Sequence, residues 1–377
     1  MIPTSSRRNF LAAGLALPAI GGSTATSGAG GDLRFRTLGK TGLKVTSVGF
    51  GCMITSDQSV VEKGADLGIN FFDTARSYQS GNNERMVGAA LKSKRKQLYI
   101  CSKTKATTKA GAFEHLETTL KELGTDYLDI WYLHQRAKAE DITDELIDAQ
   151  MTAKKQGKIR FHGISVHTNH AEVIPAAIKN GHVEVILTSY NFSMEPQMEA
   201  LIRSAHEAGI GIVGMKVMAG GFRRAKPGQK LYDTLKKEGA MVAALKWVLK
   251  NPGVATTIPS MTDMDQLDEN FKAMTSGFSG ADEKVLASQL DFIRPLYCRS
   301  CGSCEGKCPN NVPVSDVIRY LSYAEGYGQF ALGRERFLEL SPEIQSVRCG
   351  ECGSCPIQCP NGVRVLERLT RAQELFA

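Results

Sequence analysis

The chain has 377 residues, 46 Lys and Arg against 39 Asp and Glu for a formal charge of +7, and 42% apolar residues. It exceeds one average domain, and a barrel of roughly 250 residues with an appendage accounts for that length. The charge is mild and spread along the chain, which argues against nucleic acid as a partner, and no stretch reaches the ~18 apolar residues of a transmembrane helix.

Ser6-Arg7-Arg8-Asn9-Phe10-Leu11 precedes an apolar run from Ala12 to Ile20 and a small-residue stretch from Gly21 to Gly31, within which Ser23-Thr24-Ala25 suits a signal peptidase. This resembles a twin-arginine (Tat) signal, and residues 1–31 are assigned to that signal peptide and its linker. The resemblance implies export, to a periplasmic or extracytoplasmic location, of a protein already folded around its metal. A basic tail with a fortuitous Arg-Arg pair is the plain alternative.

From Arg36 to Val45, two short runs around glycine turns read as a hairpin. Strand candidates then recur at Ser47 to Gly49, Asn70 to Asp73, Leu98 to Ser102, Leu128 to Leu133, Phe161 to Ser165, Val183 to Thr188, Gly211 to Met215 and Ala255 to Ile258. Each is followed by an amphipathic stretch, from Val60 to Leu67 after the first through Glu195 to Ala208 after the sixth and Met264 to Met274 after the last. Such alternation predicts parallel strands and an α/β fold, a (β/α)8 TIM barrel over residues 32–290 with its chemistry at the C-terminal ends of the strands. An open doubly wound sheet competes, but no Gly-x-Gly-x-x-Gly follows the first strand. Residues 291–377 read as a small, mainly helical module, with helices near Asp316 to Tyr323 and Arg334 to Leu340.

Asp73, Tyr78, Lys103 and His134 fall at or just beyond the ends of the second, third and fourth strand candidates. Phe72-Asp73-Thr74-Ala75-Arg76-Ser77-Tyr78, Ser102-Lys103 and Leu133-His134 resemble the tetrad of the aldo-keto reductases, a likeness spanning roughly residues 33 to 275. Reducing a carbonyl with hydride leaves an alkoxide that needs a proton. The resemblance implies that Tyr78 gives that proton, Lys103 stabilises its phenolate, Asp73 holds the lysine and His134 orients the carbonyl oxygen. Singly, each residue has an ordinary structural explanation. Four together at matching strand ends point to carbonyl or alcohol chemistry on a small molecule.

The same resemblance implies a nicotinamide cofactor. Ser165 matches one carboxamide partner, whereas Val166 and Leu187 stand where the family has Asn and Gln, and Met215 stands at the stacking aromatic. Glu269 and Asn270 match the adenine end, but Ser260 and Gln266 occupy the basic positions that hold a 2'-phosphate. A phosphate without a cation loses charge-assisted bonds worth about 1.5–3 kcal/mol each, so NADH is expected over NADPH. Lys216 is placed near the pyrophosphate, with a solvated loop lysine as the alternative.

Cys298-x2-Cys301-x2-Cys304-x3-Cys308-Pro309 and Cys349-x2-Cys352-x2-Cys355-x3-Cys359-Pro360 are two copies of one pattern. It resembles the two-cluster ferredoxins, which implies two 4Fe-4S clusters. By that resemblance Cys298, Cys301, Cys304 and Cys359 hold one cluster, and Cys349, Cys352, Cys355 and Cys308 the other. Zinc also binds paired Cys-x2-Cys, yet does not need this triple spacing before Cys-Pro. Cys52 and Cys101 read as buried small hydrophobes.

The expectation is an exported iron–sulfur oxidoreductase, interconverting a carbonyl and an alcohol with its clusters in electron transfer, whether as an exit wire to a redox partner protein or within a larger complex, and with a structural staple as the remaining role for them. A hydride carries two electrons and each cluster one, and no flavin-binding fingerprint is present to split the pair. The alternative is an electron-transfer or partner-docking protein whose barrel has lost nicotinamide binding.

Overall fold

Runs of β-branched and aromatic residues, apolar on both faces, can only be buried as strands covered on both sides. The structure, a computed structural model, describes residues 33–194, 196–220 and 239–377. The proposed signal over 1–31 and Glu195 of the predicted sixth helix lie outside the described residues.

An antiparallel hairpin, β1 (Phe35–Thr37) with β2 (Lys44–Thr46), comes first. Eight parallel strands follow: β3 (Phe50–Gly51), β4 (Phe71–Asp73), β5 (Tyr99–Thr104), β6 (Leu128–Arg136), β7 (Ile159–Val166), β8 (Val185–Ser189), β9 (Gly211–Met215) and β10 (Val254–Thr257). They pair in sequence order, and parallel bridges from Val48 to Thr257 and from Gly51 to Ser260 bring the ends together into a (β/α)8 barrel. Leu38, Leu43 and Val45 of the hairpin join Phe71, Tyr132 and Val213 in the barrel interior. The hairpin therefore contributes to the packed centre, and the opposite rim carries the site.

The first barrel strand is displaced from its expected position at Ser47 to Gly49. Those residues bond across the seam, with Gly49 N donating to Thr257 O at 2.7 Å, so pairing with β4 starts only at Phe50. The helices begin where short polar side chains cap them, as Thr108 does for Gly111 N and Thr143 for Leu146 N. One helix at the end of the barrel region was not anticipated. Gly280–Ile293 is opened by a capping box of Ser279 and Asp282 and packs Leu286 and Ile293 against Ala240, Ala243 and Ala244.

The C-terminal module has its own small core, built from the helices Val314–Glu325, Phe330–Leu338 and Val365–Phe376. The first two match the expected helices, whereas Val365–Phe376 was not foreseen. It buries Val365, Leu369, Ala372 and Phe376 on one face. No helix among the described residues is long and apolar enough to cross a membrane.

Candidate active site and thiol cages

The ends of β4, β5 and β6 bring the four tetrad side chains together. Lys103 Nζ, fully buried, forms an ion pair with Asp73 and donates to Thr74 O at 2.6 Å and to Tyr78 Oη at 3.1 Å. The Tyr78 and His134 rings meet edge-on with centroids 6.1 Å apart. Burial pulls the Lys103 ammonium down, but Asp73 and Tyr78 outweigh it and hold the charge in place. Burial also pushes the Tyr78 phenol up to about 12, against the pull of Lys103, so it carries its proton at neutral pH. Burial, then Lys103, Lys105, Arg136 and Arg336, drive His134 well below the usual imidazole range. It stands neutral, and both its nitrogens lack a partner among the described residues. A phenol and a free imidazole side by side over a buried ammonium are the groups that a developing alkoxide requires.

A second layer fixes this loop. Glu84, fully buried, pairs with Arg76 and accepts from Ser102 Oγ at 2.6 Å and Thr119 Oγ1 at 2.9 Å. Thr74 Oγ1 donates to Asn83 Oδ1 at 2.5 Å, and Asn83 Nδ2 to Cys52 O at 2.8 Å. The backbone is left-handed at Gln79, Gln135 and Lys216, three non-glycine residues beside the site. Each such residue costs on the order of 1 kcal/mol or more, the kind of strain that collects at functional mouths.

A cleft of about 130 Å³ leads from Asp73 and Tyr78 past Met215 and Lys216 to Ser260, Gln266, Glu269 and Asn270. Three of the four predicted cofactor residues, Lys216, Glu269 and Asn270, thus line one groove. Ser165 does not. It is fully buried, and its Oγ shares a 3.0 Å hydrogen bond with His167 Nε2, so His167 forms the wall there. Leu187 lies in the barrel interior and Val166 in the layer between strands and helices. Lys216 is no solvated loop residue. Burial, helped by Arg319, lowers its ammonium to about 7, and Nζ has no partner among the described residues.

The eight clustered thiols are all free and fall into two sets. Cys298, Cys301, Cys304 and Cys359 ring one small cavity walled by Val314 and Ile318. Burial pushes Cys298 up to about 11, with Cys301 and Cys359 among the thiols that add to it. Burial does the same for Cys349, with Cys352, Cys308 and Cys355 as its neighbours. The last thiol of each run thus stands with the other run, as a pair of cubes demands. Gly302, between Cys301 and Ser303, has φ of +81°, and a Cβ there would lie 1.4 Å from Asn169 Oδ1. Only glycine lets the first thiol loop lie so close against the barrel.

Residues 55–285, more than half of the chain, match the Aldo/keto reductase family. The chain belongs to the aldo/keto reductase family. Residues 297–363 match the 4Fe-4S dicluster domain, so this aldo/keto reductase carries a ferredoxin-like iron–sulfur module. An uncharacterized oxidoreductase, YqkF, of Bacillus subtilis is 28% identical over 307 residues, covering 70% of this chain and 98% of its own. L-galactose dehydrogenase of Arabidopsis thaliana is 27% identical over 313 residues, covering 70% and 95%. Among solved structures, the holo form of aldo-keto reductase AKR11C1 from Bacillus halodurans is 28% identical, with a TM-score of 0.58, covering 69% of this chain and 96% of that one. The protein is an oxidoreductase, and the family supports a nicotinamide cofactor.

The thiol cages of this reductase fit two 4Fe-4S clusters. Lys216, Glu269 and Asn270 along the cleft are residues that would hold a dinucleotide, whereas its nicotinamide end has His167 and Met215 in place of side-chain amides. Sequence reasoning missed the residues that the module adds to the mouth: Arg319, Tyr323 and Tyr327 from the Val314–Glu325 helix and just beyond, and Arg336 from Phe330–Leu338. Their signal was Arg319, Tyr323 and Tyr327 at i, i+4 and i+8, one face of a helix.

Proposed function

We propose that this protein interconverts a carbonyl and an alcohol at the barrel mouth, with Tyr78 as proton donor. The 3.1 Å contact between Lys103 Nζ and Tyr78 Oη, buried beside a neutral His134, carries this reading. A bound dihydronicotinamide supplies the hydride. His134 donates to the carbonyl oxygen and aligns it, Tyr78 passes its proton to the same oxygen, and Lys103 stabilises the phenolate left behind, itself held by Asp73. In the oxidative direction the same groups return the proton. Ser260 and Gln266 place no cation at the adenine end of the cleft, which favours NADH.

The clusters are assigned to electron transfer with a redox partner protein. Position supports this: Tyr297, next to Cys298, packs on Gly220 beside the cleft, and Cys298 and Lys216 act on each other electrostatically. A hydride is a pair of electrons and each cluster accepts one, so coupling the barrel to the clusters requires a carrier that takes the pair and releases it singly, a role the partner protein would have to supply. Export by the twin-arginine route is part of this reading, and the Arg7-Arg8 segment before the apolar run supports it.

A second reading keeps the clusters and discards the carbonyl chemistry. The engaged hydroxyl of Ser165 and the inward Leu187 favour it, because they leave the nicotinamide ring with few polar partners. Fluorescence titration of the anaerobically reconstituted protein with NADH and NADPH separates the two. Tighter binding of NADH with turnover of a carbonyl supports the enzyme, and binding of neither leaves an electron carrier.

A further inference from the structure

Beside the tetrad lies a second cavity of about 280 Å³, which the cofactor cleft does not include. Tyr78, His134 and His167 form its barrel side, and Tyr320, Tyr323 and Leu332 of the iron–sulfur module close it from the other. This is where a substrate must sit if its carbonyl is to reach Tyr78. Three cations, Lys105, Arg319 and Arg336, line this cavity, against the single carboxylate of Glu335.

The state of those cations matters. Arg319 pairs with Asp316 at 2.7 Å through one terminal nitrogen, while its buried Nε has no partner among the described residues. Arg336 uses Nη1 for Glu339 at 2.5 Å and Nη2 for Ser77 O at 3.0 Å. Lys105 makes no hydrogen bond or ion pair among the described residues, although it is only partly exposed. Burial first, then Arg336 and Arg319, lower its ammonium, so the neighbouring cations outweigh Glu339 and Asp316. The charges acting on His134 tell the same story, for Lys103, Lys105, Arg136 and Arg336 are all positive. Asp316 holds Arg319 charged and Glu339 does the same for Arg336, so Lys105 is the lining cation left without a counter-ion among the described residues, and its burial in a half-closed cavity is costly unless an anion joins it.

We propose that this cavity recognises a carboxylate, so that the substrate is a small anionic oxo acid or hydroxy acid, gripped by Lys105, Arg319 and Arg336 with its carbonyl turned to Tyr78 and His134. Two of the three cations come from the iron–sulfur module, so the barrel alone does not hold the specificity. Guanidinium groups suit a carboxylate because their planar donors match its two oxygens. The assignment of the reacting carbonyl rests on the proposed carbonyl chemistry, whereas the anion pocket itself does not.

The test uses the full-length protein with both clusters reconstituted, titrated calorimetrically with benzoylformate and with the neutral, similarly shaped benzoylformamide. The anion should bind at least about tenfold more tightly than the amide. That margin should shrink in Lys105→Met, shrink in Arg336→Met, and return in Lys105→Arg. Equal affinity for the two ligands, or a margin that survives both methionine substitutions, overturns the proposal. Turnover is read separately: preferential binding of benzoylformate without its reduction confirms the pocket and counts against the carbonyl chemistry at Tyr78.

Discussion

Arg336 Nη2 donates to the carbonyl oxygen of Ser77 at 3.0 Å, on the residue just before Tyr78. A side chain of the iron–sulfur module thereby holds the backbone that aims the phenol. Gly326 and Gly220 make a second junction, where a Cβ on Gly326 would fall 1.8 Å from Gly220 O. The two parts of the chain meet in backbone-to-backbone contact, and that closeness makes several outcomes predictable.

Gly326→Ala should force the module away from the barrel while sparing both cores, because its φ of −84° suits alanine, although the Cβ would also crowd Ser322 O of the preceding turn at 2.7 Å. Hydrogen exchange should rise in Val314–Glu325 and around Ser77, and substrate affinity should fall about tenfold or more through the displaced Arg319 and Tyr323. Unchanged exchange in both segments would show that the junction yields without cost.

Cys359→Ala and Cys308→Ala should damage different clusters. Loss of Cys359 removes a ligand from the Cys298 set, and loss of Cys308 one from the Cys349 set. Each variant should keep about half of its iron and give a distinct residual electron paramagnetic resonance signal on reduction. If the Cys359 variant instead loses the cluster held by Cys349, Cys352 and Cys355, the crossed ligation is wrong.

Asp73→Asn leaves the Lys103 ammonium buried without its counter-ion. Breaking such a pair costs about 3–5 kcal/mol, so the melting temperature should fall by several degrees even where the fold survives. Tyr78→Phe removes only a hydroxyl from the same cluster and should leave the melting temperature almost unchanged while slowing carbonyl reduction by about 10² to 10⁴. A rate near that of the parent protein would remove Tyr78 from the chemistry.

Acid should destabilise the fold. Burial holds His134 and His167 well below 6.5 and takes His170 down to about 3, so all three are neutral in the folded chain. Once unfolded they regain an ordinary imidazole pKa, so below that value the unfolded chain binds protons that the folded one refuses, and stability falls with pH. Each histidine contributes about 1 kcal/mol over the first pH unit below roughly 6.5. Thermal midpoints across that range should therefore drop by several degrees, and midpoints that stay level would mean that these rings reach water.

Most of the barrel was legible in the chain because parallel strands buried on both faces must be short apolar runs, as Val185–Ser189 and Gly211–Met215 are. The tetrad was legible because each member sits at a strand end beside its own local motif. Gly280–Ile293 stayed hidden because Gly277 and Gly280 break the apolar spacing at its start, and its opening signal is the capping box of Ser279 and Asp282. Ser165 was recognised but not its engagement, since only the side-chain alternation of β7 and the return of the chain bring His167 over it. Lys105 lies more than 200 residues from Arg319 and Arg336 in sequence, and no local pattern announces that packing two modules will line one cavity with them.

The roof over the mouth has a further consequence. Val314–Glu325 begins just beyond one thiol loop, lays Val314 and Ile318 against its cysteines and supplies Arg319 and Tyr323, so a cluster held there would brace the helix that completes the pocket. A molecule that never acquired its iron, or lost it to oxygen, would have an open and poorly shaped mouth while its barrel remained folded. On that geometry iron loading would be coupled to the shape of the pocket, and the metal-free protein is expected to hold small anions more weakly than the loaded one.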